Sequence, residues 1–295
     1  MTLTALAIAD AKGVELNLDE LAPAVLAAAA TCFGDVPGVE VIDEGDLVRS
    51  NAPGHPQPYV NGIARLRVAG VALEDRVRAI EPAYRAAGLP TSWWVDDWTA
   101  PTDAADRLLA LGMRPGGAEA VMVVDLGAMP ESVVAAEQGA ARAGVVVAPV
   151  ETIADLDAWI GVMARSYGWS DPRKAAQMRD LYDPRTAHGR DGRRVHVLAW
   201  MGGVAVGAAS LFLTAGQGWV TNVGTIPAAR GRGVGAAVTS VTLRLALERG
   251  DPTAWLAASD MGEPVYRRLG FRTVGRVAHL IGPGQSPNHA SPGAR

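Results

Sequence analysis

Residues 219–247 read WVTNVGTIPAARGRGVGAAVTSVTLRLAL, and this stretch organises the second half of the chain. Its apolar start, residues 219–223, predicts a buried strand. Pro227 has no N–H to give to a strand ladder and therefore ends that strand. Apolar residues recur at helical spacing from Val238 to Leu247, so we predict a strand, a loop and a helix in direct succession.

The loop between this strand and helix reads Arg230-Gly231-Arg232-Gly233-Val234-Gly235. Glycine lets backbone N–H groups approach an anion closely, and the N-terminal end of a helix favours negative charge. Such a loop is a recurrent way to hold a phosphate group. The loop alone leaves open which phosphate-bearing ligand it binds.

The composition excludes several kinds of partner. The 295 residues are 49% hydrophobic and 20% charged, with a net charge of −4. This balance provides for sizeable cores and argues against nucleic acid or an anionic membrane as a partner. Cys32 is the one cysteine, so a disulfide within the chain is impossible. The five histidines are scattered without metal-ligand spacing, and we predict no metal site.

The N-terminal residues and the apolar runs bear on location. The start, MTLTALAIADAKG, has no basic segment before an apolar core, which argues against a signal peptide. No apolar run reaches the roughly 18 residues that a membrane span requires. A reducing cytoplasm is the location that these features favour.

Predicted elements divide the chain into a first domain at residues 1–128, a linker helix at 129–143, a second domain at 144–281 and a disordered tail at 282–295. The predicted helices of the first domain cover residues 17–30, 72–87 and 101–111, and its predicted strands cover residues 59–68, 92–95 and 120–126. The patterns of the second domain predict the order β-α-α-β-β-β-α-β-α-β, with the glycine loop after the fourth strand.

The two domains end alike. Residues 107–114 (RLLALGMR) lead into a valine-rich strand, and residues 266–272 (YRRLGFR) also lead into a strand. We interpret this weak repeat, with a period near 158 residues from Gly112 to Gly270, as two copies of one fold. Since any helix can end in Leu-Gly before a strand, a chance match is the alternative. The first copy has no comparable glycine loop, because residues 67–72 contain one glycine at a strand-to-helix junction.

The order of elements and two motifs resemble the GNAT superfamily of acyl-CoA N-acyltransferases. The family loop is Arg or Gln, two residues, Gly, one residue, then Gly or Ala, which here is residues 230–235 after the strand end Thr225-Ile226-Pro227. The second family motif, a tyrosine before Leu-Gly-Phe, corresponds to residues 266–271. The match covers roughly residues 144–281, and in the first domain Leu108 takes the tyrosine position.

The resemblance implies an α/β (α+β) fold of two GNAT-like domains. Each domain would be a mixed, mostly antiparallel twisted sheet flanked by helices. The first domain resembles a degenerate copy without a CoA site, so the chain would bind one molecule of acetyl-CoA, or another acyl-CoA, as co-substrate. The implied reaction moves an acetyl or other short acyl group to a primary amine by direct attack in a ternary complex.

The resemblance also implies where the co-substrate binds. Backbone N–H groups of residues 231–236 would hold the pyrophosphate, while Arg230 and Arg232 would contact phosphates or remain solvated. In the family the fourth strand splays from the fifth at a bulge, where the pantetheine arm bonds to strand backbone and an N–H at Val223 polarises the thioester carbonyl. The implied cofactor-binding residues are Val223, Thr225, Ile226, Arg230, Gly231, Arg232, Gly233, Val234, Gly235, Ala236 and Ser259.

Tyr266 is the implied general acid. A phenol has a pKa of about 10, close enough to that of a thiol to protonate the departing thiolate. The alternative is that Tyr266 only packs at a helix–sheet junction. Ser259 either hydrogen-bonds the pantetheine or caps the next helix.

The acceptor side is the least informative part of the sequence. Thr221 and Asn222 on the fourth strand are not bases, and the nearest carboxylate, Asp260, is equally suited to capping a helix. Positioning of an amine that arrives neutral would then supply much of the acceleration. Trp169, Thr221 and Asn222 are the candidate substrate contacts, although Trp169 also suits a core role. The expected partner is a small-molecule or peptide amine, and the expected assembly is a monomer or homodimer.

Two alternatives come from other classes. The pattern Gly231-x-Gly233-x-x-Ala236 also matches a dinucleotide fingerprint, which would make the protein an NAD(P)-dependent Rossmann oxidoreductase. That motif follows its strand almost directly in a parallel βαβ unit, whereas residues 225–230 intervene here and hairpins precede them. A non-catalytic CoA-binding sensor or scaffold is the nearer alternative, because a base is missing and the first copy is degenerate.

Overall fold

The computed structural model describes residues 17–70, 72–169, 172–183 and 194–282. The described helices are α1 Leu18–Ala30, α2 Ala72–Ala86, α3 Ala104–Ala110, α4 Glu131–Arg142, α5 Ile153–Tyr167, α6 Pro172–Tyr182, α7 Val234–Glu248 and α8 Glu263–Arg268. The described strands are β1 Glu40–Asp43, β2 Val48–Asn51, β3 Gly62–Ala64, β4 Ser92–Asp96, β5 Arg114–Asp125, β6 Val145–Pro149, β7 Arg194–Met201, β8 Val204–Thr214, β9 Gln217–Thr225, β10 Thr253–Ala258 and β11 Arg272–Ile281.

The chain divides into two compact units. We call residues 17–121 with 273–282 the N-terminal unit, and the described residues of 122–272 the C-terminal unit. The two units therefore do not follow each other simply along the chain. The domain boundaries at residues 128 and 143 stay a sequence-based prediction, and of the tail that we expect to be disordered, residues 283–295 lie outside the described part.

The N-terminal unit is a mixed sheet with a core beneath its helices. Its strands lie in the order β1-β2-β3-β4-β11, and all neighbours are antiparallel except β3 and β4. The core includes fully buried side chains from both strands and helices, among them Leu47, Ile63, Trp93 and Leu108. β11 belongs here because residues 277–281 pair with residues 92–96 of β4.

Five elements in this half of the chain differ from what the sequence predicts. β1 and β2 were not predicted, and the predicted strand at 59–68 is reduced to the three residues of β3. A 3-10 turn at Pro58–Val60 precedes β3, and Arg65 follows it with a φ of +56°, so the backbone is bent at both ends. β5 begins at Arg114 rather than residue 120, and α3 begins at Ala104 rather than residue 101.

The C-terminal unit is an antiparallel meander followed by one parallel crossover. β6, β7, β8 and β9 pair in sequence order, and the predicted hairpin turn at Gly202 and Gly203 joins β7 to β8 with φ values of +57° and +78°. β10 returns through α7 to pair with β9 in parallel. A βαβ unit is therefore present, but β6, β7, β8 and β9 beside it form an antiparallel meander, whereas a doubly wound sheet is mostly parallel. The Rossmann alternative is wrong.

The predicted repeat is visible in the geometry of the two helix ends. Gly112 and Gly270 end α3 and α8 with φ values of +88° and +92°. In both places the next residue donates its N–H to a carbonyl five residues earlier, Met113 to Leu108 and Phe271 to Tyr266, each at 3.1 Å. The same turn therefore leads into the final strand of each copy.

No helix in the described ranges has the length and apolarity that crossing a membrane demands.

Candidate active site

β9 and β10 are paired at their beginnings and then separate. The described ladder consists of Gly218 with Ala254 and Trp219 with Trp255. Residues 220–225 of β9 continue against β8. An opening outside the carboxyl ends of parallel strands is where ligands bind in α/β sheets. The glycine loop follows the end of β9, and α8 follows the end of β10, so both border this opening.

β9 carries a bulge beside the opening. Thr221 pairs with Ser210, while Gly224 pairs with Ala208, so Asn222 and Val223 together oppose one residue of β8. Asn222 has a φ of +54°, and asparagine is among the few residues that tolerate this left-handed conformation. A bulge bends its strand and re-aims side chains, and it stands where the resemblance implies one.

The glycine loop has the conformation that its residue types predict. Gly231 and Gly233 have φ values of +75° and +78°, where a side chain would be strained. A Cβ at either position would meet no atom within 4 Å, so both glycines face open space. At Gly235, a Cβ would lie 3.5 Å from the hydroxyl oxygen of Thr225, which places Thr225 beside the loop.

The beginning of α7 is free to bind an anion. Gly233 is the N-cap, no side chain caps the helix, and its first turn carries no acidic residue. The N–H groups of Val234, Gly235 and Ala236 belong to this first turn, where helix geometry supplies no acceptor. Val234 is buried against β8, since a Cβ on Gly207 would lie 2.3 Å from its Cγ1. A rigidly placed, uncapped helix start behind two open glycines fits a diphosphate.

The side chains of Arg230 and Arg232 contact residues outside the glycine loop. Arg230 donates to the carbonyl of Ser166 at 3.2 Å and to that of Thr225 at 3.4 Å. Arg232 lies 3.4 Å from the sulfur of Met201. Both side chains are exposed, and both residues lie a few positions before the start of α7. Ile226, by contrast, donates its N–H to Val206 and accepts from Ala229, so its backbone is already hydrogen-bonded.

Tyr266 lies on α8, the helix that follows the end of β10. The tyrosine is 9% exposed, and its ring packs edge-on against Phe271 with centroids 5.9 Å apart. Ser259 accepts a hydrogen bond from the N–H of Gly262 at 3.3 Å. This contact is the one expected if Ser259 caps the start of α8. Gly262 is the N-cap of α8, and Asp260 does not hold that position.

An aromatic wall extends from the bulge toward α6. Tyr167, at the end of α5, donates its hydroxyl to the carbonyl of Val223 at 3.2 Å. Its ring stacks on Trp169 with centroids 5.6 Å apart, and the ammonium group of Lys174 lies 5.5 Å from the Trp169 ring centre. Trp169 is half-buried, and its stacking on Tyr167 joins it to the bulge. The predicted contact Thr221 is half-buried at the same bulge.

Sequence reasoning missed a buried polar chain on the inner side of this bulge. Asn222 donates to Ser210 and to the hydroxyl of Tyr182, each at 3.3 Å, and Ser210 lies 2.7 Å from Nδ1 of His196. His196 and Ser210 are 2% and 0% exposed. The available signal was Ser210 itself, the single polar residue in the apolar run 204–213 of β8.

Acidification should destabilise the protein through His196. Burial, with the nearby charge of Arg194, lowers the pKa of His196 to about 3 against the opposing effect of the Tyr182 backbone. In the unfolded chain the pKa is near 6.5, so protonation favours unfolding. The contribution is complete above pH 6.5 and falls by roughly 1.4 kcal/mol per pH unit as pH drops from 6.5 toward 3.

Urea unfolding at pH 7 and pH 5 checks this expectation. The wild type should lose roughly 2 kcal/mol more between these pH values than His196→Gln, which has no titrating ring. An identical pH dependence in the two proteins would contradict it.

β3 and β4 of the N-terminal unit correspond to β9 and β10, but backbone hydrogen bonds close the gap beyond their paired residues. β3 and β4 pair in parallel at Gly62 and Ile63, as β9 and β10 do at their beginnings. Their continuations meet again, because Ala100 donates to Leu66 at 2.9 Å and Val68 donates to Ala100 at 3.0 Å. These backbone hydrogen bonds occupy the groups that an extended ligand would use.

Comparison with known proteins identifies the site-bearing region. Residues 157–271 match the model of the acetyltransferase (GNAT) family. No curated protein matches the sequence.

Solved structures extend the similarity to most of the chain. A GCN5-related N-acetyltransferase from Kribbella flavida has a TM-score of 0.67 at 22% identity, covering 91% of this chain and 98% of that one. A second, from Sphaerobacter thermophilus, has a TM-score of 0.55 at 18% identity, with coverages of 90% and 92%. A tandem GNAT protein from the clavulanic acid biosynthesis pathway has a TM-score of 0.54 at 14% identity, with coverages of 85% and 86%. The predicted fold class, two GNAT-like domains with mostly antiparallel sheets, is confirmed.

Proposed function

We propose that this protein transfers an acetyl or other short acyl group from acyl-CoA to a primary amine, because residues 157–271 match the model of the acetyltransferase (GNAT) family. One observation carries the proposal. The open glycines Gly231 and Gly233 lead into an uncapped helix at the mouth of the opening between β9 and β10. Few ligands combine a diphosphate with a narrow arm that can enter such an opening, and acyl-CoA does.

The chain's own groups would divide the work as follows. The first-turn N–H groups of α7 hold the diphosphate, with Arg230 and Arg232 able to turn from their present contacts toward it. Thr225, beside Gly235, and the bulged backbone at Val223 border the pantetheine arm. Ile226 contributes through the shape of the turn, because its backbone groups are already hydrogen-bonded.

The reaction we propose is direct attack in a ternary complex. The amine nitrogen bonds to the thioester carbonyl carbon, the carbon–sulfur bond breaks, and the thiolate takes a proton from the hydroxyl of Tyr266. A backbone N–H at the bulge stabilises the charge that develops on the carbonyl oxygen. The nitrogen's surplus proton passes to solvent, and solvent returns a proton to the phenolate of Tyr266. Holding a neutral amine in place supplies the rest of the acceleration.

The acceptor would lie against the bulge and the aromatic wall. Trp169, Thr221 and Asn222 are the residues we assign to it. The wall suits a small-molecule or peptide amine with an apolar portion next to its nitrogen. We propose no nucleic-acid or membrane partner, and a monomer or homodimer in the cytoplasm.

The alternative of a CoA-binding sensor is favoured by one observation. Asn222 hydrogen-bonds to Ser210 and Tyr182, and Ser210 contacts His196, so the groups that these bonds join are hydroxyls, an amide and an imidazole, which are poor bases for an amine. A sensor would bind acetyl-CoA without releasing its thiol when amines are supplied.

Acetyl-CoA is expected to stabilise the protein, whereas NADH is not. At one hundred times its Kd, a ligand adds about 2.7 kcal/mol, which corresponds to roughly 5–10 °C in Tm for a chain of this size. Calorimetric titration should give one site per chain, because the strands of the N-terminal unit are closed at Ala100. Stabilisation by NADH alone would contradict the proposal.

Release of free thiol then separates enzyme from sensor. The assay supplies acetyl-CoA with a panel of primary amines: an amino acid, an aminosugar, a polyamine and a lysine peptide. Amine-dependent release supports the enzyme, and binding without release supports the sensor.

A further inference from the structure

The polar chain behind the bulge joins three strands that are distant in sequence. Asn222 belongs to β9, Ser210 to β8 and His196 to β7. Around them pack the rings of Trp159 and Tyr182, with centroids 5.1 Å and 5.4 Å from that of His196. Buried polar groups in such an apolar setting are costly unless each finds a partner, so their presence calls for an explanation.

The hydrogen bonds in this chain run in one direction. Ser210 accepts from the amide nitrogen of Asn222, and in the tautomer of His196 with its proton on Nε2 the serine hydroxyl donates to Nδ1, 2.7 Å away. The amide nitrogen also lies 3.3 Å from the hydroxyl oxygen of Tyr182, which is 3.5 Å from the amide oxygen. Two oxygens therefore hold the nitrogen of Asn222, while its amide oxygen accepts from the hydroxyl of Tyr182 with one lone pair and keeps the second for a ligand.

Asn222 lies in the bulge of β9, beside the opening between β9 and β10. Asn222 is half-buried, whereas Ser210 and His196 are buried, so the chain leads from the bulge into the core. The left-handed φ of Asn222 is the geometry that turns its side chain toward Tyr182 and Ser210. The next residue, Val223, is the one whose carbonyl receives the hydroxyl of Tyr167.

We propose that Asn222 presents its amide oxygen to the N–H of the acceptor amine, and that Ser210 and His196 are positioning residues that fix the orientation of this amide. The proposal rests on the proposed function. It names the acceptor as a molecule that donates a hydrogen bond from its attacking nitrogen, leaving the lone pair for the thioester carbon. An amide that could rotate would instead present its N–H groups, which would donate to the lone pair of the amine and keep that lone pair from the thioester carbon.

His196 orients rather than accepts a proton. Its pKa is lowered to about 3 by burial and by the charge of Arg194, so the ring is neutral at physiological pH. A neutral ring with its proton on Nε2 accepts from Ser210 at Nδ1, and that bond keeps the serine oxygen available to Asn222. The imidazole is thus suited to hold one hydrogen-bond pattern, and poorly suited to act as a base.

Asn222→Gly tests the proposal without straining the bulge, because glycine keeps a φ of +54° freely. The acceptor is the best amine of the thiol-release panel. We expect its KM to rise roughly fivefold to tenfold, the loss of about one hydrogen bond, with the KM for acetyl-CoA unchanged. Ser210→Ala should raise the acceptor KM about threefold, because Tyr182 still holds the amide.

Ser240→Ala is the matched control. Ser240 is also 0% exposed in the C-terminal unit and lies in α7, and its hydroxyl oxygen has no hydrogen-bond partner in the described part of the protein. It should leave both KM values unchanged. A purely structural role for the chain would instead alter both KM values together in Asn222→Gly, and that result would overturn the inference.

The results distinguish a failure of this inference from a failure of the proposed function. An active wild type with an unchanged acceptor KM in Asn222→Gly overturns this inference and leaves the proposed function standing. A wild type that binds acetyl-CoA but turns over no amine overturns both.

Discussion

Gly233→Asp is expected to abolish acetyl-CoA binding while leaving the protein folded. Gly233 has a φ of +78° and faces open space, so the new side chain clashes with nothing. It places a carboxylate at the helix start that we assign to the diphosphate, where negative charge repels negative charge. Binding measured by calorimetry should weaken at least roughly a hundredfold, or about 3 kcal/mol.

Gly38→Asp is the matched control for this change. Gly38 has a φ of +84°, is exposed, and would also place a Cβ with no atom within 4 Å. It therefore imposes the same backbone strain and the same charge, but in the N-terminal unit. Gly38→Asp should bind acetyl-CoA as the wild type does. If Gly233→Asp binds equally well, the loop does not hold the diphosphate.

The glycine loop was predictable because its geometry is local. Gly231 and Gly233 adopt left-handed backbone conformations that their residue type permits, and Pro227 ends the strand that precedes them. The order of helices and strands from residue 144 onward followed from hydrophobic spacing for the same reason. Each of these features depends on residues within a few positions of one another.

The first half was harder to predict because its backbone departs from residue preferences. Arg65 has a φ of +56°, which an arginine gives no reason to expect, and it ends β3 early. The loop before β3 is held by Asn61, whose amide bonds to Ala52, His55 and Gln57. These contacts depend on how the loop folds back on Asn61, so hydrophobic spacing does not predict them.

The polar chain was invisible to sequence reasoning for a related reason. His196, Ser210 and Asn222 come from three strands, and only the sheet register brings them together. An isolated histidine in a strand is usually a core residue, and a serine in an apolar run is weak evidence of a site. The pairing of β11 with β4 is hidden in the same way, because strand partners depend on the whole fold.

Tyr266→Phe is expected to lower kcat at least roughly a hundredfold, with the affinity for acetyl-CoA unchanged, because general-acid catalysis typically contributes 10²–10⁴-fold. The ring is 9% exposed and packs on Phe271, and phenylalanine preserves that packing. The change therefore removes the proton donor and keeps the helix–sheet junction. Thiol release with the best amine gives kcat, and calorimetry gives the Kd for acetyl-CoA.

A second tyrosine separates lost catalysis from lost stability. Tyr84, 3% exposed in the N-terminal unit, donates its hydroxyl to the carbonyl of Ser50 at 2.7 Å. Tyr84→Phe should cost about 0.5–1.5 kcal/mol of unfolding free energy and leave kcat unchanged. If Tyr266→Phe retains wild-type kcat, Tyr266 only packs, and the leaving thiolate must take its proton elsewhere. If both variants lose kcat in proportion to their loss of stability, the effect at Tyr266 is structural.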